Sequence, residues 1–154
     1  MVSQYIQEAI KTIHKKIGHD IKWALVGSTN MQIQGMQIEP RDLDIVIQHK
    51  DLERVSKIFS DYSASNVIKL KTFSGKPAWE VRATINSVEI QFFGGDEKDI
   101  YVIKLLSGKI IMIELDGIKI PCFTLEAESQ TYKETNREHK ANLIQEFLST
   151  RRGN

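Results

Sequence analysis

A four-residue apolar run, Trp23-Ala24-Leu25-Val26, stops at Gly27-Ser28. After thirteen intervening residues the chain enters a second extended run, Asp42-Leu43-Asp44-Ile45-Val46-Ile47. This stretch constrains the fold more than any other. A short continuous apolar run that ends on glycine reads as a buried strand breaking into a turn. Asn30 to Met36 then offers about two helical turns. Gly35 and Pro40 punctuate its end, because glycine accepts positive φ and proline cannot continue a helix. Side chains alternate along a strand, so Asp42 and Asp44 share one face while Leu43 and Ile45 share the other.

Two carboxylates on one strand face repel each other, which costs stability unless something positive sits between them. Mg²⁺ suits that position, since it prefers carboxylate and phosphate oxygens. The corner at Gly27, Ser28 and Thr29 presents backbone N–H groups at a helix start, a seat for phosphate. Taken alone, Asp42-x-Asp44 also fits a solvated strand end. Joined by a short helix to a phosphate seat, the acidic pair points to a nucleoside triphosphate handled with Mg²⁺.

Composition narrows the class. A chain of 154 residues fits one domain, spanning 1–154, with a substantial core. A formal charge of +1 gives no footprint for a dedicated duplex-binding protein. The lone Cys122 rules out an internal disulfide and fits a reducing compartment. It sits in an apolar run, so a buried thiol is expected rather than a nucleophile. No apolar stretch reaches membrane-spanning length, and Met1 to Gly18 is too charged for a signal peptide. A soluble cytoplasmic protein is expected.

In chain order, Val2 to Ile17 reads as a helix capped by Ser3 and ended by Gly18, with Ile6, Ala9, Ile10, Ile13 and Ile17 on one apolar face. Asp51 is the expected N-cap of a helix running to Phe59. Val67 to Phe73 alternates as a half-solvated strand, and Ser74 to Pro77 reads as a loop. Ala78 to Ile85 and Val88 to Phe93 form a hairpin about Asn86-Ser87. Ile100 to Leu106 fits a strand or a short helix equally. Lys109 to Leu115 and Ile118 to Ile120 form a second hairpin about Asp116-Gly117. From Thr124, a good cap, the period turns helical, and a C-terminal helical segment of about 124–150 is interrupted near Asn136.

Gly27-Ser28, the spacer and Asp42-Leu43-Asp44 together resemble the signature of the DNA polymerase β-like nucleotidyltransferase superfamily. Minimal and lincosamide-type members are the nearest in pattern. The resemblance implies an α/β (α+β) fold, a mixed sheet flanked by helices, with further helices at the C-terminus. It also implies a third carboxylate on a later strand. Glu89 is the first choice, because its apolar flanks place it inside a strand where an unpaired carboxylate needs a partner. Glu80 is the alternative, and it equally suits an ion pair with Arg82. In that picture Asp42, Asp44 and Glu89 hold two Mg²⁺ ions that bridge a nucleoside triphosphate. A nucleoside monophosphate then passes to a hydroxyl acceptor, with pyrophosphate released. Gly27, Ser28 and Thr29 hold the β- and γ-phosphates. Lys133, Arg137 and Lys140, at i, i+4 and i+7 on one helix face, resemble the basic residues that approach the nucleotide in several members. Members of the family often have Asp after the last of these, where this chain has Ala141.

The acceptor class stays open between a small molecule, a protein and an RNA end. With no separate acceptor domain, a homodimer or a toxin-type protein partner is compatible with the chain. The rival reading is a non-catalytic nucleotide-binding or protein-interaction module. It draws on Asn30, which stands where many minimal members carry a basic residue.

Overall fold

Ser3 caps α1 (Gln4–Ile17) by accepting the Ile6 N–H, and the helix stops at Gly18, whose φ is 66°. Its apolar stripe is buried as the periodicity predicts, with Ala9, Ile10 and Ile13 almost fully enclosed. The computed structural model describes residues 2–71 and 75–152. There follow β1 (Trp23–Val26), α2 (Gly27–Ile33), β2 (Leu43–Ile47), α3 (His49–Ile58), β3 (Ile68–Leu70), β4 (Ala78–Ile85) and β5 (Val88–Gly94). The chain continues as α4 (Ile100–Leu106), β6 (Ile110–Leu115), β7 (Ile118–Phe123), α5 (Leu125–Glu134) and α6 (Glu138–Arg152).

The strands make one seven-stranded sheet in the order β3-β4-β5-β2-β1-β7-β6. It is mixed: β2 runs antiparallel to β1 and parallel to β5, and β1 runs parallel to β7. Both predicted hairpins form. Asn86 and Ser87 have φ of 49° and 68°, and Asp116 and Gly117 have 50° and 86°. Two successive residues of positive φ match the twist of the strands they join.

Alternation divides the sheet's burial into two faces. Leu25, Leu43, Ile45, Ile90 and Phe92 pack with Ile10, Ile13, Leu52 and Val55 of α1 and α3 in the larger core cluster. On the other face Ala24, Val26, Val46 and Phe93 pack with Val102 and Leu105 of α4 and Ala127 of α5. A third cluster joins Met31 of α2 to Leu125, Tyr132, Ala141, Ile144 and Leu148, and so fixes α2 against α5 and α6. Among the described residues no helix is long and apolar enough to cross a membrane.

Some local expectations are corrected. Asp51 does not cap α3: the helix begins at His49, the Asp51 N–H already bonds the Gln48 carbonyl at 2.9 Å, and Asp51 lies buried in the first turn. The corner at Gly27 is itself the first residue of α2, so the helix starts three residues before Asn30. Strand β3 covers Ile68–Leu70, while Phe73, the expected end of that run, and Ser74, the expected start of the loop, lie outside the described residues. The ambiguous Ile100 to Leu106 run is helical, because Asp99 accepts the N–H groups of Tyr101 and Val102 at 2.9 and 3.0 Å. The helical pattern after Thr124 is broken by Asn136, at φ 61°.

Candidate functional site

The C-terminal end of β1 and the N-terminal end of β2 are neighbours, with Val26 opposite Asp44. Gly27 turns the chain out of the sheet with φ 78°, and the Asp44 carboxylate lies directly over it. A Cβ on residue 27 would fall 2.8 Å from Asp44 Oδ2. The glycine therefore meets two demands, a left-handed backbone and room for a carboxylate. Burial and the neighbouring Asp42 push the Asp44 carboxyl up to about 6, against the opposing pull of Arg82, Lys140 and Arg137.

Asp44 opens onto a cleft of about 230 Å³. Gly27 and Ser28 form one wall with Val26. Gln91 and Phe93 contribute from β5, and Leu70, Lys71 and Ala78 from the β3–β4 side. Tyr101, Glu128, Tyr132, Thr135, Arg137 and Lys140 close it from the helices. Phe93 and Tyr101 meet edge to face at 4.9 Å between ring centroids. Arg137 reaches the cleft because Asn136 redirects the chain. Its guanidinium donates to the Tyr101 hydroxyl and to Thr135 Oγ1, both at 2.9 Å, and lies 4.7 Å from the Tyr132 ring centroid. Lys140 is 5.5 Å from the same ring. Two cations over an aromatic floor suit an anionic ligand carrying a flat ring.

Glu128 is the residue that sequence reasoning missed. It is buried on α5, and its Oε1 accepts the Gly27 N–H at 3.0 Å and the Asn30 amide at 3.2 Å. Burial, reinforced by Asp44, pushes its carboxyl up to about 7, although those hydrogen bonds and Arg137 favour the charged form. Asn30 also donates to the Phe123 carbonyl at 3.0 Å, so it binds α2 to both β7 and α5. A signal was present: Glu128, Ser129, Thr131 and Tyr132 fall on the inward side of α5, where polar side chains need partners.

The structure sorts the sequence-predicted residues. Gly27, Ser28, Asp44, Arg137 and Lys140 converge on the cleft. Asp42 is exposed just before β2 and is an electrostatic neighbour of Asp44. Thr29 is buried, and its hydroxyl donates to the Asp42 carbonyl at 2.9 Å, which ties α2 to the start of β2 and turns the side chain from the cleft. Lys133 is exposed on α5 and does not share a helix with Lys140, because the break at Asn136 separates them. Glu89 is exposed on β5 rather than enclosed, opposite Thr84 and level with Asp42, since the next residue, Ile90, pairs with Leu43. The residue level with Asp44 is Gln91. Glu80 is buried and held by Arg82 Nε at 2.6 Å and Gln91 Nε2 at 2.9 Å, the ion pair that sequence offered as its alternative role.

Among the described residues, no group of three His, Cys, Asp or Glu side chains is disposed to hold a metal ion. The adjacent carboxylates of Asp42 and Asp44 do match the usual protein share of a Mg²⁺ site, one or two carboxylates with substrate phosphates completing the shell.

Among solved structures, the fold matches that of a Thermotoga maritima protein provisionally named a nucleotidyltransferase. The TM-score is 0.74 over 97% of this chain and 96% of that one, at 20% sequence identity. The chain thus has a nucleotidyltransferase fold. No protein-family model and no curated protein sequence matches it.

Proposed function

We propose that this chain is a nucleotidyltransferase. It moves a nucleoside monophosphate from a nucleoside triphosphate to a hydroxyl acceptor, with pyrophosphate as the second product. The observation that carries this reading is the seating of Asp44 on Gly27 at the mouth of a cleft closed by Arg137 and Lys140. A carboxylate to hold a cation, a backbone corner at a helix start and two basic side chains around one small space are the parts that phosphoryl transfer requires. The nucleotidyltransferase fold supports the same reading.

In this scheme the oxygen of the acceptor hydroxyl attacks the α-phosphorus, the bond to the bridging oxygen of the leaving pyrophosphate breaks, and the hydroxyl proton is released to solvent. Asp42 and Asp44 would hold Mg²⁺, which supplies charge neutralisation on the phosphate oxygens. Ser28 binds the phosphate chain. Arg137, fixed by Tyr101 and Thr135, and Lys140 receive the charge that develops on pyrophosphate. Tyr132 and Phe93 give the base an apolar surface. The test incubates the full chain with each α-labelled ribonucleoside triphosphate, Mg²⁺ and pooled acceptors, namely sugars, a denatured-protein mixture and RNA. Metal-dependent pyrophosphate release with label transfer, sharply slowed in Asp44→Asn, is expected. Label transfer at an undiminished rate in Asp44→Asn would sink the assignment.

One observation favours a second reading, a nucleotide-binding module without transfer. The Gly27 N–H, the first donor of the corner, is already bonded to Glu128. Calorimetry separates the two: binding of triphosphate that is indifferent to Mg²⁺ and to Asp44→Asn, with no pyrophosphate release, belongs to the module.

A further inference from the structure

Three side chains stand in a row across β2, β5 and β4: Asp44 pairs with Gln91, and Gln91 pairs with Arg82. Paired residues share a sheet face, so all three rise from the side that carries the cleft. Arg82 is pinned there. Its Nε donates to Glu80 Oε1 at 2.6 Å, while Gln91 Nε2 occupies Glu80 Oε2 at 2.9 Å. Glu80 is 8% exposed, and both its oxygens are engaged, so it is withdrawn as a metal ligand. The Arg82 side chain is 52% exposed and forms no further hydrogen bond among the described residues, which leaves its two terminal amino groups uncommitted. The carboxylates acting on that guanidinium are those of Glu80, Glu89 and Asp44. A fixed positive group thus lies among the acids that a second divalent ion would need.

We infer that Arg82 is the resident cation of this acidic face and takes the place of a second divalent ion, so that the chain binds one such ion, at Asp42 and Asp44. A guanidinium keeps its charge at every working pH. Mg²⁺ needs oxygen ligands at close range in octahedral order, and a neighbouring guanidinium repels it. Glu89, the remaining acid, is level with Asp42 but faces solvent beside Arg82. The neutral Gln91 fills the position level with Asp44 and anchors Glu80.

This inference rests on the proposed role of Asp42 and Asp44 in metal binding, and its test counts ions without any turnover. Mn²⁺ is titrated into the full chain, without nucleotide, and bound ion is followed by electron paramagnetic resonance and calorimetry. One ion per chain is expected for the natural sequence and for Arg82→Lys, which keeps the charge. Arg82→Gln is expected to bind a second ion, or to bind Mn²⁺ at least tenfold more tightly. Circular dichroism monitors folding, and Arg82→Met, which keeps the aliphatic stem and removes the charge, provides the same readout if Arg82→Gln does not fold. Two ions in the natural chain or in Arg82→Lys overturn the inference, as does an Arg82→Gln titration identical to that of the natural chain. Loss of the single ion in Asp42→Asn supports the assignment of the site. Failure of label transfer with this ion count intact would remove the transferase reading alone, whereas transfer with two ions bound would remove this inference alone.

Discussion

Asp44 Oδ2 lies where it would crowd any side chain on residue 27, at 2.8 Å from the first atom such a side chain would add. Gly27 and Asp44 are therefore one feature of the fold. Changing either partner disturbs the other.

Gly27→Ala forces a Cβ into that space at φ 78°. The left-handed backbone alone costs roughly 1–2 kcal/mol for a residue with a side chain. Urea unfolding should show a loss of about 2 kcal/mol, and triphosphate affinity should fall with it, because the Asp44 carboxylate must move. Stability and affinity both unchanged would show that the corner is not under this constraint.

Asp44→Asn should slow transfer sharply while stabilising the chain. Removing one electrostatic contributor of this kind lowers a rate by about 10²–10³-fold. The carboxyl is pushed up from 3.8 to about 6, so the ionised form is strained by burial and by Asp42 at neutral pH. The neutral amide relieves that strain, and a gain on the order of 2 kcal/mol in unfolding free energy at pH 8 is expected. A slowed variant that is also less stable would contradict this origin of the shift.

Glu128 sets a pH dependence of stability. Its folded value, about 7, lies above the ordinary 4.5, so between these limits the folded chain holds a proton that the unfolded chain releases. Stability therefore falls as pH rises through that window and levels off above it, by on the order of 3 kcal/mol in all. Glu128→Gln keeps an oxygen for Gly27 and Asn30 and removes the titration. Thermal melts from pH 4.5 to 8 should show a much flatter profile in that variant.

Arg137 and Lys133 test the break at Asn136. Arg137→Ala removes the donor to Tyr101 and the cation over Tyr132, and should weaken triphosphate binding about tenfold, a loss near 1.4 kcal/mol. Lys133→Ala, exposed on α5, should bind as the natural chain does. Equal losses in the two variants would restore a continuous basic helix face.

Local chemistry made much of this fold legible. Gly27, Asn86-Ser87 and Asp116-Gly117 each mark a turn whose backbone demands can be read from residue type. The stripe of α1 and the acidic pair at Asp42 and Asp44 were equally plain. Register was not. Whether Glu89 or Gln91 stands level with Asp44 depends on how β5 slides along β2, and these strands are parallel and far apart in sequence. The flanks Val88 and Ile90 announced a strand but not which of its faces meets solvent. Helical spacing likewise suggested that Lys133, Arg137 and Lys140 share a face, until one left-handed residue, Asn136, divided the helix. Glu128 escaped notice because its partners, Gly27 and Asn30, lie about a hundred residues earlier.

Cys122 sits on β7 directly opposite Leu25 of β1, fully enclosed, and burial pushes its thiol up to about 12. In the closed sheet it is almost never a thiolate and offers no path to a reagent. Its modification by a disulfide-exchange dye then becomes a clock for the moments when β1 and β7 part, and the chain carries its own probe of how often its centre opens.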